Sequence, residues 1–329
     1  MHFVLSPAAG RYDKPGNLWY NIVYECVRFP RQSGCGSVET LIPGRLIRLQ
    51  GRLARPFWGL LGIWATLCGV LASHSLGWRG EDLLALGLVL LLADLGWGSL
   101  WDLMVGIDWF GALRGGWPPR RPAAVPSLPY TQPGSPGWRL WRRASRLVGW
   151  WRETVWPTAG AALVGVLAAV LITILLSFLL PASLRRLNAA LVVLVGLGAV
   201  QRRWGREPLA GEAFAQVGLG WLAGHLAFAG MTLPSFLVAM GFIVAVWGSL
   251  RLVRGQSAAL LLLNGGQVAV AAVLVGVRQP LLAAAVGALI LGQVALQPAL
   301  HKGVGATQIF RRTWPWLMAA MLVGALALP

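Results

Sequence analysis

Acidic side chains are scarce in this chain, and several stand where a charge is costly. Of the eleven Asp and Glu residues, Asp94, Asp102 and Asp108 lie within one long apolar run or at its end, and Glu212 stands at the start of another. A carboxylate inside a bilayer is expensive and is by default a candidate for function. Asp94 and Asp102 differ by a rotation of about 80° on a helix, so both can face one cavity. Carboxylate oxygens beneath an arginine-rich loop suit Mg²⁺ that bridges a diphosphate.

The composition places these acids in a membrane protein. The 329-residue chain is 57% hydrophobic and 12% charged, with a mean hydropathy of +0.65, whereas soluble domains carry roughly a quarter of charged residues. The net charge of +17 comes almost entirely from arginines. Because these arginines punctuate apolar runs, they indicate a lipid bilayer as partner and not a nucleic acid. Soluble enzymes, disordered proteins and disulfide-stabilised secreted domains are excluded.

Two further sequence features carry no functional signal. The three cysteines, Cys26, Cys35 and Cys68, have neither metal-binding spacing nor even pairing. The first residues, Met1 to Asn17, have no basic stretch followed by an apolar run, so we expect no signal peptide.

Nine segments are predicted to be membrane-spanning helices, which need about 20 mostly apolar residues each. They lie near residues 57–76, 83–105, 158–180, 187–201, 209–230, 233–250, 257–277, 280–299 and 313–328. The many glycines and alanines suit close approach of helices in lipid. We therefore predict an all-α integral membrane protein with a nine-helix transmembrane domain over residues 57–329.

The basic residues predict the orientation of these helices. With nine spans, 24 of the 28 lysines and arginines fall on the side that holds the N-terminus. Positive charge accumulates on the cytoplasmic side of membranes, so the N-terminal segment 1–56 is predicted to be cytoplasmic. The odd number of spans puts the C-terminus outside. We expect a multi-pass protein of a bacterial inner membrane.

The longest cytoplasmic connection, residues 109–157, divides into two parts. Its first half is rich in proline and is predicted to be irregular. In its second half, residues 138–156, Trp and Val recur at helical spacing among five arginines: Arg139, Arg142, Arg143, Arg146 and Arg152. This pattern predicts an amphipathic helix in the headgroup plane. Such a helix acts either as an aromatic anchor or as a basic lid over a site for an anionic head group.

The end of the second apolar run resembles a known metal-binding motif. The segment Trp97-Gly-Ser-Leu-Trp-Asp102-Leu-Met-Val-Gly-Ile-Asp108 is similar to the first acidic motif of UbiA-type prenyltransferases. It is nearest to the naphthoate-prenylating branch, whose motif typically reads N-D-Y-Y-D-F-K-K-G-V-D. Asp102, Gly106 and Asp108 match this motif, whereas Gly98 and Ser99 replace its leading Asn and Asp.

Other parts of the chain resemble the same family. Its second motif, commonly N-N-L-R-D-I-E-G-D, aligns with Gly248-Ser-Leu-Arg251-Leu-Val-Arg254-Gly255-Gln256, which keeps Leu, Arg and Gly but no acid. The start of the first span (46–69) and of the fifth (209–212) are also similar, so the resemblance covers most of the chain from about residue 45. The tetrapeptide Trp-Gly-Ser-Leu occurs at both motifs, at residues 97–100 and 247–250.

The resemblance implies a nine-helix prenyltransferase that moves a polyprenyl group from its diphosphate to an aromatic or quinone-type acceptor in the membrane. In that interpretation Asp102 and Asp108 are catalytic and hold Mg²⁺, and Arg251 and Arg254 bind the diphosphate. The implied cavity residues are Trp97, Trp101 and Glu212, since aromatic faces shield a carbocation.

The loss of acids from the second motif keeps a second interpretation open. A catalytically inactive homologue would hold a quinone, a lipid or a pigment and serve as a structural subunit of a larger membrane complex. The eighteen tryptophans supply surface for such membrane-protein partners. His225, in the fifth span, is a candidate pigment ligand, although a histidine hydrogen-bonded within the bundle is the simpler expectation.

Overall fold

The long apolar runs of the sequence form helices. The computed structural model describes residues 60–107, 109–110, 132–256, 258–298 and 306–329, all of which belong to one compact unit, Ile47–Pro329. These residues contain no β-strand, which confirms the prediction of an all-α protein. The predicted N-terminal segment 1–56, Asp108 and residues 111–131 of the proline-rich connection lie outside the described residues.

The described helices follow the order of the predicted spans. They are α1 (Leu61–Ala72), α2 (Gly80–Gly106), α3 (Pro136–Trp150), α4 (Trp156–Leu179), α5 (Ala182–Arg203), α6 (209–228), α7 (Leu233–Val253), α8 (Ala259–Gly276), α9 (Pro280–Leu296) and α10 (Ala306–Leu326). Three π-helical turns interrupt the α-helical bonding: Leu92–Gly98 in α2, Trp151–Val155 between α3 and α4, and Phe214–Gly218 in α6. A π-turn holds an extra residue and therefore rotates the side chains that come after it.

Five helices within the described residues are long and apolar enough to cross a membrane: Gly80–Gly106, Ala159–Leu179, Ala182–Arg203, Leu233–Val253 and Ala259–Gly276. Leu61–Ala72 and Pro280–Leu296 are apolar but shorter. The protein is thus a multi-pass membrane protein of the all-α class. A described helix covers part of each of the other predicted spans as well, while the nine crossings and their orientation stay predictions.

Apart from α3, consecutive helices pack against one another, and α10 packs back against α1. α6 contributes to two buried apolar clusters, one with α1 and α7–α10 and one with α2, α4 and α5. Glycines permit its crossing with α1, because a Cβ on Gly69 would meet the backbone of Trp221, and one on Gly224 that of Thr66.

Short connections reverse the chain direction from α4 to α9. A Cβ on Gly198 near the end of α5 or on Gly211 at the start of α6 would meet the Trp101 ring near the end of α2. The C-terminal ends of α2, α5 and α7 therefore share one end of the bundle with the N-terminal ends of α4, α6 and α8.

Candidate functional site

The end of α5 forms one wall of a cleft. Gly205 adopts a positive φ of 71°, and its N–H donates to the Arg202 carbonyl at 3.0 Å. The next N–H, of Arg206, donates to the Gln201 carbonyl at 3.0 Å. This pair of bonds is the Schellman motif, which ends a helix at a left-handed glycine. It brings Gln201 and Arg206 together at the end of the helix.

The end of α7 forms the opposite wall with the same motif. Gly255 has a φ of 82°, and its N–H donates to the Leu252 carbonyl at 2.9 Å. The N–H of Gln256 donates to the Arg251 carbonyl at 3.2 Å. Two helices therefore end in identical backbone geometry and present arginine and glutamine side chains to a shared space.

The cleft between these helix ends has a volume of about 700 Å³. The residues that line it are Gln201, Arg206, Glu207, Leu209, Ala210, Trp247, Arg251, Arg254 and Gln256. Three arginines face one glutamate, so the lining is cationic. An arginine fork matches the oxygens of a phosphate, and the cleft is therefore suited to an anionic oxygen ligand.

Side-chain contacts hold two of the arginines in place. The Nε atom of Arg251 donates to Oε1 of Gln256 at 2.6 Å, and its Cζ atom lies 5.4 Å from the centre of the Trp247 ring. The Nε atom of Arg254 lies 2.9 Å from Oε2 of Glu207, with both side chains 44% exposed. An ion pair this exposed stabilises the fold by less than about 1 kcal/mol. Its effect is chiefly to orient Arg254.

The structure brings Arg251 and Arg254 into one cleft, whereas Glu212 and Asp102, the predicted acids that belong to the described residues, do not line it. Glu212 is half-buried in the first turns of α6, where Nε2 of Gln216 donates to its Oε1 at 3.3 Å. Asp102 is half-buried near the end of α2. The neighbouring Trp101 ring packs against the start of α6, since a Cβ on Gly211 would lie 2.8 Å from it. The described lining of the cleft includes neither acid.

The two predicted cavity tryptophans lie in the core between α2, α4, α5 and α6 and are not among the described residues that line the cleft. Trp97 is 2% and Trp101 4% exposed. The indole N–H of Trp97 donates to Oδ1 of Asn188 at 2.7 Å, and Asn188 in turn donates to the Ser177 hydroxyl. Asp94, in the π-turn of α2, is 5% exposed. Trp97 and Trp101 therefore link helices within the bundle.

The magnesium ion that the resemblance implies needs several oxygen ligands from the protein or its substrate. Among the described residues, no three His, Cys, Asp or Glu side chains lie close enough to share a metal ion. Asp108, the second predicted ligand, is outside the described residues. Guanidinium groups have donors only and cannot ligate a metal. The described part of the cleft therefore fits a phosphate or diphosphate and does not by itself fit Mg²⁺, which demands near-octahedral oxygen ligation.

His225 has hydrogen-bond partners at both ring nitrogens. The Trp221 indole donates to the Ser235 hydroxyl at 3.0 Å, which lies 3.3 Å from Nδ1 of His225. Nε2 of His225 lies 3.0 Å from the Gly230 carbonyl. This chain of contacts assigns the proton to Nε2. His225 thus closes the α6–α7 connection as a hydrogen-bonded bundle histidine, and neither nitrogen is left for a pigment metal.

No protein-family model, no curated protein and no solved structure matches this chain. The resemblance to UbiA-type prenyltransferases therefore rests on the sequence motifs around Asp102 and Arg251. What the cleft can bind therefore follows from the residues that line it.

The sequence analysis missed Gln201, Arg206, Glu207 and Gln256 as cleft residues. A signal for them exists: each helix is followed by a glycine that precedes a polar residue, Gly205-Arg206 and Gly255-Gln256. Such a glycine predicts a helix C-cap. The sequence does not reveal, however, that the C-caps of α5 and α7 lie side by side.

Proposed function

We propose that this protein is a UbiA-like integral membrane protein that binds the diphosphate of a polyprenyl diphosphate in the cleft between the ends of α5 and α7. The observation that carries this proposal is the set of three arginines and one glutamate around about 700 Å³ at the end of an apolar bundle. The predicted topology, with nine spans and a cytoplasmic N-terminus, puts the cleft on the cytoplasmic side.

In this proposal the two oriented arginines act alike. Arg251 is held through Nε by Gln256, and Arg254 through Nε by Glu207. In each case the contact at Nε positions the guanidinium group. Its two terminal NH₂ groups can then donate charge-assisted hydrogen bonds to phosphate oxygens. The apolar lining at Leu209, Ala210 and Trp247 receives the first isoprene units, and the bundle and lipid receive the rest of the chain.

Transfer of the prenyl group to a membrane-embedded aromatic or quinone-type acceptor is a second proposal. It is favoured by Asp102 and Glu212, which lie at the same end of the bundle as the cleft. Mg²⁺ would supply charge neutralisation there, but the described residues by themselves do not provide its ligands. The alternative is an inactive homologue that retains an isoprenoid, quinone, lipid or pigment as a subunit of a larger complex.

Calorimetric titration of the purified full-length chain in nanodiscs with farnesyl diphosphate tests the binding. A hydrogen bond to a charged group contributes about 1.5–3 kcal/mol, so Arg251→Gln or Arg254→Gln should weaken binding roughly 10- to 150-fold. Arg185→Gln, at the opposite end of α5, is the matched control and should bind like the unchanged protein. Equal affinity of Arg251→Gln and Arg185→Gln would refute the proposal.

The same preparation separates the enzyme from the inactive homologue. With farnesyl diphosphate, Mg²⁺ and a dihydroxynaphthoate acceptor, formation of the prenylated product that is lost in Asp102→Asn supports transfer. Binding without product supports the inactive homologue.

A further inference from the structure

Helix α3 carries an exposed apolar stripe. Leu140, Trp141, Leu147 and Val148 are 71%, 44%, 53% and 55% exposed, and Trp151, directly after the helix, is 38% exposed. Their spacing puts all five on one face of a helix. No side chain of α3 is buried. Contiguous apolar surface of this kind marks an interaction site for a protein or a membrane.

The opposite face of α3 is basic. Arg139, Arg142, Arg143 and Arg146 recur at intervals of three and four residues, and the segment Pro136–Trp150 contains no acidic residue. The Arg142 guanidinium lies 4.8 Å from the centre of the Trp138 ring. This contact assigns Trp138 to the basic face, although the sequence analysis grouped it with the apolar residues. The partner of α3 must therefore offer both an apolar interior and negative charge.

The junction between α3 and α4 is a weak point of one continuous helix. The helix begins at the N-cap Ser135, whose hydroxyl accepts from the N–H of Trp138 at 3.1 Å, and it runs through the π-turn Trp151–Val155 into α4. Pro157 has no N–H and cannot bond to the Glu153 carbonyl as a regular helix requires. Without a bend there, the 15 residues of α3 would extend the axis of α4 by about 22 Å. The apolar stripe would then stand in water.

We propose that α3 binds the anionic phospholipids of the adjacent membrane leaflet, by bending at residues 151–157 and laying its apolar stripe into the acyl boundary. α4 spans the membrane, so the lipid surface is the partner next to the junction. The four arginines of α3 then lie at the level of the phosphates, where each adds attraction to an anionic leaflet. The inference rests on α3 and its junction with α4 and is independent of the diphosphate site.

Spin labels on the full-length protein test this surface. Cys26, Cys35 and Cys68 are replaced by alanine, and single labels are placed at Leu140→Cys on the stripe, at Arg143→Cys on the basic face and at Leu171→Cys on the exposed surface of α4. Nanodiscs contain either phosphatidylcholine alone or equal parts of phosphatidylcholine and phosphatidylglycerol. Accessibility to oxygen reports lipid, and accessibility to a water-soluble nickel chelate reports water.

In the anionic discs the label at 140 should become oxygen-accessible with a several-fold loss of nickel access, while the label at 143 stays nickel-accessible. In phosphatidylcholine alone both should be nickel-accessible. Replacing all four arginines of α3 by glutamine, with the label at 140, should abolish the switch. The label at 171 should report lipid throughout and thereby shows that each variant is folded and inserted.

Two results would overturn the proposal. Nickel access at 140 in both kinds of disc would mean that the stripe does not bind lipid and is reserved for an acidic protein partner. Oxygen access at 140 in both, unchanged by the arginine replacements, would mean that the anionic lipid is not required.

Discussion

Two copies of Trp-Gly-Ser-Leu, at residues 97–100 of α2 and 247–250 of α7, occupy different environments. Trp97 is 2% exposed, and its indole donates to Asn188 in the core between α2, α4 and α5. Trp247 is half-buried, lines the cleft and lies beneath Arg251. The tryptophan of the α2 copy joins helices, and the tryptophan of the α7 copy packs beneath an arginine of the cleft. A repeated sequence therefore does not imply two equivalent half-sites.

The helical bonding around the two copies also differs. Trp97 and Gly98 belong to the π-turn Leu92–Gly98, whereas α7 is α-helical throughout Leu233–Val253. One extra residue in a turn rotates the later part of the helix by about 100°. The residue four positions after each Trp shares that Trp's environment, since Trp101 is 4% exposed in the core and Arg251 lines the cleft.

Replacing each tryptophan gives the largest expected contrast. Trp97→Ala leaves a cavity and an unpaired Asn188, so it should lower the free energy of unfolding by about 3–5 kcal/mol. Trp247→Ala removes a half-buried ring that packs against the cluster of α1 and α7–α10, so it should lower the free energy of unfolding by a smaller amount, about 1–2 kcal/mol. It should also weaken the binding of farnesyl diphosphate roughly 2- to 5-fold, the range of an exposed cation–π contact. Unfolding in SDS, monitored by circular dichroism, measures the first effect, and calorimetric titration the second. Equal losses of stability would break the comparison.

Replacing Gly248, the glycine of the α7 copy, tests whether this copy also contacts a neighbouring helix. A Cβ on Gly248 would lie 2.9 Å from the Ala259 carbonyl oxygen of α8, so Gly248→Ala should cost about 1–3 kcal/mol of stability through overpacking. Gly87→Ala in α2 is the matched control, because a Cβ there meets nothing within 4 Å. It should change stability by less than about 1 kcal/mol, in the stabilising direction. The same SDS titration measures both, and indistinguishable curves would show that α7 and α8 do not meet at Gly248.

Substitutions of Glu207 and Asp102, acids near the two tetrapeptides, are expected to have the smallest effects on the binding of farnesyl diphosphate. Glu207→Gln removes negative charge from the cleft while costing less than about 1 kcal/mol of stability. It should tighten farnesyl diphosphate binding roughly 2- to 5-fold at low salt and less at high salt. Asp102→Asn, beside the α2 copy, should leave this affinity unchanged. If Glu207→Gln instead bound farnesyl diphosphate more weakly, the loss of the contact that positions Arg254 would outweigh the removal of a negative charge from the cleft.

Local properties of the chain were predictable. Apolar runs predicted the helices, because burial of a 20-residue segment in lipid depends on its own composition. The spacing of Arg139, Arg142, Arg143 and Arg146 predicted a helix with a basic face. The resemblance of residues 248–256 to a known motif singled out Arg251 and Arg254, and the structure brings both to one cleft.

The sequence by itself thus determined the all-α membrane class, the approximate positions of the helices and the basic character of the helix ends. Only the tertiary structure decided that Gln201 and Arg206 stand opposite Arg251 and Gln256, and that Trp97 and Trp101 are core residues. The reason is that a side chain's environment depends on which helix lies beside it and on the rotation that a π-turn imposes. Neither quantity is encoded in the local pattern of hydrophobicity.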